Sequence, residues 1–337
     1  MDVTVLSASD AEEALTEEDC AVVIDALRAS ATAIALLESG AKSVVPVAGD
    51  GADRFGEEVL KVGEHHGERI EGFDLGNSPL AVRERADLFD GEDVVLRTTN
   101  GTRCVERVDG AGTVVMGSLL NAEALIETCR DRLSAESRVV FVPAGRRGDP
   151  APEDTYTAVA LARRLQAALG DPVTASAPEG DLSEPITEAG TDANTGTNTV
   201  ATAAPATAGG SEPAAESGEA TSAETGDLRP AEEVFVESDT GRFLASMNWE
   251  EDVHFCAQAD VFGAVPVLED GRFVDGHPPP GSATSGADRT ENATTEVPDE
   301  EGSSEPDTSH LDDVDPSCGC VGVWEHLSEQ RSANGDR

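Results

Sequence analysis

Asp25, Arg28 and Ser30 stand in the short stretch DALRAS, directly after the apolar run Val22-Val23-Ile24. A carboxylate where a strand opens into a helix can hold Mg2+ or act as a nucleophile, while the arginine and the helix start favour an anion. The same Asp and Ser could instead only cap a helix. Thr98, Thr99, Asn100, Gly101 and Thr102 form TTNGT between Arg97 and Arg103. Asn-Gly permits positive φ, so successive N–H groups can converge on an anion; a plain hairpin turn is the alternative. GERIEGFDLGNSP supplies Glu68, Arg69, Asp74, Asn77 and Ser78, too polar for a core and too irregular for a linker. It is expected to be an ordered loop over a site. GSLLNAEAL carries Ser118 and Asn121, the second a natural helix cap. PAGRRGDPAPED carries Gly145, Arg146, Arg147, Glu153 and Asp154. Its adjacent carboxylates could bind a divalent cation or complement a helix dipole.

Oxygen ligands suited to Mg2+ and donors suited to phosphate or carboxylate thus recur at strand ends, which points to metal-assisted phosphoryl transfer or a phosphatase. No phosphate-binding G-x-x-x-x-G-K-[ST] loop and no G-x-S-x-G elbow is present. Leu27 stands where a two-aspartate phosphatase motif would place its second carboxylate. Cys318 and Cys320 with His310 and His326 fit no standard zinc spacing, and His65 and His66 are read as solvent-exposed after a helix.

The elements that must position these residues alternate from the start to about Gly170. TVL (4–6), AVVID (21–25), SVVPV (43–47), DVVLR (93–97), TVVMG (113–117) and RVVFVPA (138–144) read as strands. Residues 28–40, 53–63, 121–133 and 152–170 read as helices, several ending in Gly. Apolar strands separated by helices imply an α/β fold, a mostly parallel β-sheet layered between helices. The organisation expected is a catalytic core over 1–170, a disordered acidic insertion over 171–230, a core continuation of two helices and a strand over 231–274, and an acidic linker and tail over 275–337.

Lys and Arg number 23 against 67 Asp and Glu, a net charge of −44, and Lys42 and Lys61 are the lysines. Such a surface repels nucleic acid and anionic membranes, and its repulsion is screened at very high salt. A halophilic host follows from that composition. With no signal-like start, no membrane-length apolar run and six scattered cysteines, a cytoplasmic protein with reduced thiols is expected.

The ordered set VVIDALRASATAIALLESGA, GERIEGFDLGNSPLAV, TTNGT, GSLLNAEAL and PAGRRGDPAPEDTYTA resembles the 2-phosphosulfolactate phosphatase (ComB) family, and the likeness resumes at SDTGRFLASMNWEEDVHFCAQADVFGAVPVL. The resemblance implies a Mg2+-dependent phosphatase that hydrolyses 2-phospho-3-sulfolactate to sulfolactate and phosphate, on the way to coenzyme M. Asp25, Arg28 and Asp74 would then be catalytic, with Asp25, Glu68, Glu153 and Asp154 holding the metal. Ser30, Arg69, Asn77, Ser78, Thr98, Thr99, Asn100, Gly101, Thr102, Ser118, Asn121 and Gly145 would bind the substrate. A small phosphorylated metabolite is the expected partner, with a homodimer as one expected assembly. A phospho-metabolite binding module without turnover and a phosphotransferase to an acceptor other than water are the alternatives. The insertion and the tail depart from the family pattern.

Overall fold

The structure, a computed structural model, describes residues 1–172, 174–175 and 228–277. The segments read as the acidic insertion and the tail lie outside them, apart from their outermost residues. The elements in chain order are β1 Asp2–Val5, α1 Ala8–Ala14, β2 Asp19–Ile24, α2 Ala29–Glu38, β3 Ser43–Val47, β4 Leu60–His65 and β5 Glu68–Arg69. After these come α3 Pro79–Glu84, β6 Asp93–Arg97, α4 Gly101–Arg107, β7 Thr113–Met116, α5 Ala122–Arg132, β8 Arg138–Pro143 and α6 Pro152–Leu169. The last described elements are α7 Ala231–Glu237, α8 Asp239–Ser246, α9 Glu250–Cys256, β9 Pro266–Glu269 and β10 Arg272–Asp275.

The ten strands form one sheet in the order β1-β8-β2-β7-β9-β10-β3-β6-β4-β5. Two parallel blocks, β1-β8-β2-β7 and β3-β6-β4, are joined through antiparallel β9 and β10. The hairpin between β9 and β10 turns at Asp270 and Gly271, whose φ values of 48° and 78° suit the tight turns that match strand twist. Three successive antiparallel pairings make β3 run opposite to β7. The carboxyl ends of the two blocks can therefore meet only if the sheet curls. It does so around a shared core: Ala21, Val23, Val140 and Val142 of one block and Val44, Val94 and Leu96 of the other pack with α2 residues such as Ala33 and Leu36. The opposite face of the first block packs on α5 to α9 through Val22, Phe141, Leu125, Leu161 and Phe235.

Two expectations are corrected. Residues 53–63 do not form a helix: a 3-10 turn covers Gly51–Arg54, and the later part is the start of β4, whose Leu60 to Gly63 pair with Val94 to Arg97 of β6. Gly56 interrupts the helical pattern, and cross-strand pairing with Val62 fully buried overrides the local preference. Beyond Ala231 there are three helices and two strands rather than two and one. Ser238 divides the expected helix by accepting the Gly241 N–H as the cap of α8.

Candidate active site

The carboxyl ends of β2, β4, β6 and β8 converge on a small cavity of about 70 Å³ whose wall includes Asp25, Arg28, Glu64, Asn77, Thr99 and Arg146. Asp25 follows β2 and is 6% exposed. Its backbone N–H is accepted by the Ser30 hydroxyl at 3.0 Å, and its Oδ1 accepts the Ala29 N–H at 3.1 Å. Burial raises its carboxyl to about 6, with the negative charges of Glu64 and Glu153 adding to the rise and the N–H groups of Ala29 and Gly101 opposing it.

Asp154 and Glu153 open α6. Asp154 accepts the N–H of Ala26 at 2.7 Å and of Gly145 at 3.0 Å, tying the end of β2 to the end of β8. Burial, then the charges of Asp25 and Glu153, raises its carboxyl well above the usual range. Burial also raises Glu153, against side-chain hydrogen bonds from Thr240 and Ser238 and the charge of Arg146. Its Oε2 is buried without a hydrogen-bond partner.

Glu64, at the end of β4, accepts the Thr99 N–H and hydroxyl, both at 2.7 Å, through Oε1, and the Gly67 N–H at 2.7 Å through Oε2. The TTNGT stretch is neither a hairpin nor a positive-φ nest: Asn100 has φ −113° and Gly101 begins α4. Gly101 is required for closeness instead, because a Cβ there would lie 2.4 Å from the Ala29 Cβ and 3.0 Å from Asp25 Oδ2. Thr98 and Thr102 bond each other, the Thr102 N–H to the Thr98 hydroxyl and the Thr102 hydroxyl to the Thr98 carbonyl.

Arg28 is 3% exposed, forms an ion pair with Asp252 of α9, and stacks over Trp249 at 5.1 Å. Asp252 also accepts the Ser78 hydroxyl at 2.9 Å. Arg146 lies over Phe243 at 4.9 Å, and Asn77 Oδ1 is buried without a partner. Acidic, cationic and amide groups therefore surround a space large enough for a few waters or one phosphoryl group.

A family model described as 2-phosphosulpholactate phosphatase matches residues 5–193, more than half of the chain. The chain belongs to the 2-phosphosulpholactate phosphatase family. It is a phosphatase, a phosphoric monoester hydrolase. The probable 2-phosphosulfolactate phosphatase of Thermotoga petrophila is 32% identical over 257 residues, 75% of this chain and 91% of that protein. That of Thermotoga maritima is 30% identical over the same shares, and that of Clostridium acetobutylicum is 37% identical over 150 residues, 43% of this chain and 62% of its own. Residues 281–332 match a second model, a family of unknown function (DUF8595).

In this phosphatase, not every residue proposed from sequence reaches the cavity. Asp25, Arg28, Asn77, Thr99 and Asn100 line it. Ser30, Ser78, Gly101, Gly145 and Asp154 stand just behind, each fixing one of those residues or its loop. Glu68 and Arg69 are exposed on β5, and the Arg69 guanidinium donates to the carbonyls of Phe73 and Asp74. Asp74 accepts the Lys61 N–H at 2.8 Å. Arg69 and Asp74 thus hold their own loop together, and Glu68 stands exposed on β5 outside the cavity wall. Ser118 and Asn121 form a capping box ahead of α5, and the Asn121 amide donates to the Ala264 carbonyl, so both position the β7 end rather than the cavity. Glu64, His66 and Thr240 were not among the residues expected to act, yet they line the cavity together with Arg146, which the sequence had offered without a role of its own.

Among the described residues no three His, Cys, Asp or Glu side chains come together as a ready-made metal site. Mg2+ asks for less, since one or two carboxylates with substrate oxygens and waters complete its shell. Asp25 stands on the cavity wall, and Glu153, buried behind that wall, keeps Oε2 free, so the two carboxylates fit that partial set. No helix among the described residues is long and apolar enough to cross a membrane.

Proposed function

We propose that the phosphatase hydrolyses 2-phospho-3-sulfolactate, or a similar small phosphorylated hydroxy acid, to sulfolactate and phosphate with Mg2+ as cofactor. The observation that carries this reading is the buried Asp25 carboxylate facing Arg28, Arg146 and Asn77 across one cavity. When bound by Asp25 and Glu153, Mg2+ would neutralise negative charge on the phosphoryl oxygens. Arg28 keeps N–H groups beyond the one given to Asp252, and with Arg146 it can hold those oxygens. The partnerless Asn77 Oδ1 and the Asp25 carboxylate are acceptors that would hold a water against phosphorus. That water attacks, one of its protons passes to the carboxylate, the phosphorus–oxygen ester bond breaks, and the same proton passes on to the leaving oxygen, so that the hydroxy acid leaves as its alcohol and phosphate keeps the water oxygen. The names of the relatives and the arginines on the cavity wall support the choice of substrate.

The test is phosphate release from 2-phospho-3-sulfolactate, 2-phospholactate and phenyl phosphate in several ionic strengths of KCl, after chelation and after Mg2+ is restored. Release from the first substrate that stops on chelation and returns with Mg2+ is expected. Tight binding without release would remove turnover from the reading, and release indifferent to chelation would remove the cation.

A further inference from the structure

Arg28 reaches the cavity with a side chain that is 2% exposed and gives one N–H to Asp252. A single hydrogen bond fixes one edge of the guanidinium and leaves its plane free to turn about that bond. All the N–H donors of a guanidinium lie in its plane, so the direction of the others follows from whatever sets the plane.

Trp249 covers the face of this group, its ring centre 5.1 Å from the guanidinium carbon. The ring is half-buried, packs against the core shared by Val253 and Phe255 of α9, and takes no part in the cavity wall. Its route to the site is Arg28. The chain turns sharply to bring it there: α8 ends at Ser246, Asn248 holds a left-handed backbone with φ 65°, which asparagine accepts more readily than most residues, and the Trp249 N–H donates to the Leu244 carbonyl at 2.9 Å. Trp249 then caps α9, and Asp252 stands three residues on, a spacing that puts two side chains on one side of a helix. The start of α9 therefore grips one guanidinium twice, by its face and by an edge. The edge is itself pinned, because Asp252 Oδ1 accepts the Ser78 hydroxyl at 2.9 Å.

We propose that Trp249 is a positioning residue for phosphoryl transfer: its ring sets the plane of the Arg28 guanidinium, so that the N–H groups not held by Asp252 point at the phosphoryl oxygens. The inference rests on the proposed phosphatase reading, in which Arg28 holds those oxygens, and deepens it. Orientation counts most where a contact tightens in the transition state, so loss of the ring falls on kcat more than on KM.

The experiment replaces Trp249 in the full chain by Phe, which keeps a flat face, and by Leu or Met, which do not, and reads phosphate release from 2-phospho-3-sulfolactate beside thermal unfolding. Trp249→Phe is expected to keep kcat within roughly threefold, and the aliphatic variants to lower it roughly ten- to a hundredfold with KM changed less than about threefold. A second arm places Trp249→Leu in Arg28→Lys, whose ammonium has no plane to orient, and there the change should cost less than about threefold in kcat. Equal losses for Phe and Leu, a loss confined to KM, or the same loss in the lysine background would overturn the proposal. Should neither aliphatic variant fold, the ring is a packing element and the proposal ends. Should the unaltered chain release no phosphate, the catalytic reading fails by itself, and calorimetry with orthovanadate, a mimic of the five-coordinate transition state, and with inorganic phosphate decides the inference. A roughly tenfold weaker vanadate affinity in the aliphatic variant with phosphate affinity kept supports it, and any other pattern ends it.

Discussion

Glu64 Oε1 accepts both the backbone N–H and the hydroxyl of Thr99 at 2.7 Å, joining the end of β4 to the loop after β6. Both donors meet a carboxylate that is 9% exposed, so each bond is of the stronger charge-assisted kind. Glu64→Ala leaves the Thr99 N–H without that acceptor and frees the cavity wall to move. A fall of roughly ten- to a hundredfold in kcat/KM is expected, with a smaller loss of about 1–3 kcal/mol in stability. Steady-state kinetics beside thermal unfolding check it, and unchanged kinetics would show that the Thr99 loop needs no such tie.

Asp25 gives a pH dependence whose sign is fixed by burial. Its carboxyl rises from 3.8 to about 6, so its contribution to stability is complete below the lower value and lost as pH climbs through the upper one. Glu153 and Asp154 shift the same way, whereas Asp19, held by Arg138, and Asp93, held by Ser43, shift down and act oppositely. The Asp25 part is therefore isolated by difference. In chelator, Asp25→Asn should match the unaltered chain near pH 4 and exceed its stability by on the order of 1–3 kcal/mol above pH 6. Denaturant unfolding at several pH values reads this, and a constant gap across the range would refute it.

Where the sequence was legible, one strand and its following helix carried the signal. Val22-Val23-Ile24 ending at Asp25, and Phe141-Val142-Pro143 leading to Gly145 and α6, have short β-branched apolar runs that suit a strand buried on both faces, and their carboxyl ends do face the cavity. Glu64 was hidden because GEEVLKVG mimics a helix tail, and its strand pairing depends on β6, some thirty residues later. Asp252, the partner of Arg28, lies 224 residues away along the chain, beyond any local pattern. Arg69 and Asp74 had chemically suitable side chains, but the hydrogen-bonding needs of their own glycine-rich loop engage them, and Glu68 lies exposed on β5 away from the cavity wall.

Gly101 illustrates a requirement that type alone cannot show. A methyl there would press on the Ala29 Cβ at 2.4 Å, at the point where α4 crosses the start of α2. Gly101→Ala is expected to destabilise by about 1–3 kcal/mol and to displace Asp25, lowering turnover. Adding Ala29→Gly removes the struck atom, so the double variant should recover part of both losses. Failure to recover would place the effect of Gly101 in its backbone freedom instead of its closeness.

Arg28 and Asp252 separate two roles that the buried ion pair combines. Both side chains are almost wholly buried, at 2% and 1% exposure, so removing either alone strands a charge. Asp252→Ala should cost about 3–5 kcal/mol and leave Arg28 seeking another partner, with Ser78 losing its acceptor as well. Replacing both, Arg28→Met with Asp252→Leu, exchanges the pair for apolar volume and should restore much of that stability. Turnover should not return, because the guanidinium also faces the cavity beside Asp25 and no apolar side chain holds a phosphoryl oxygen. A double variant that is both stable and active would make the arginine a structural residue alone, and phosphate contact would then fall to Arg146.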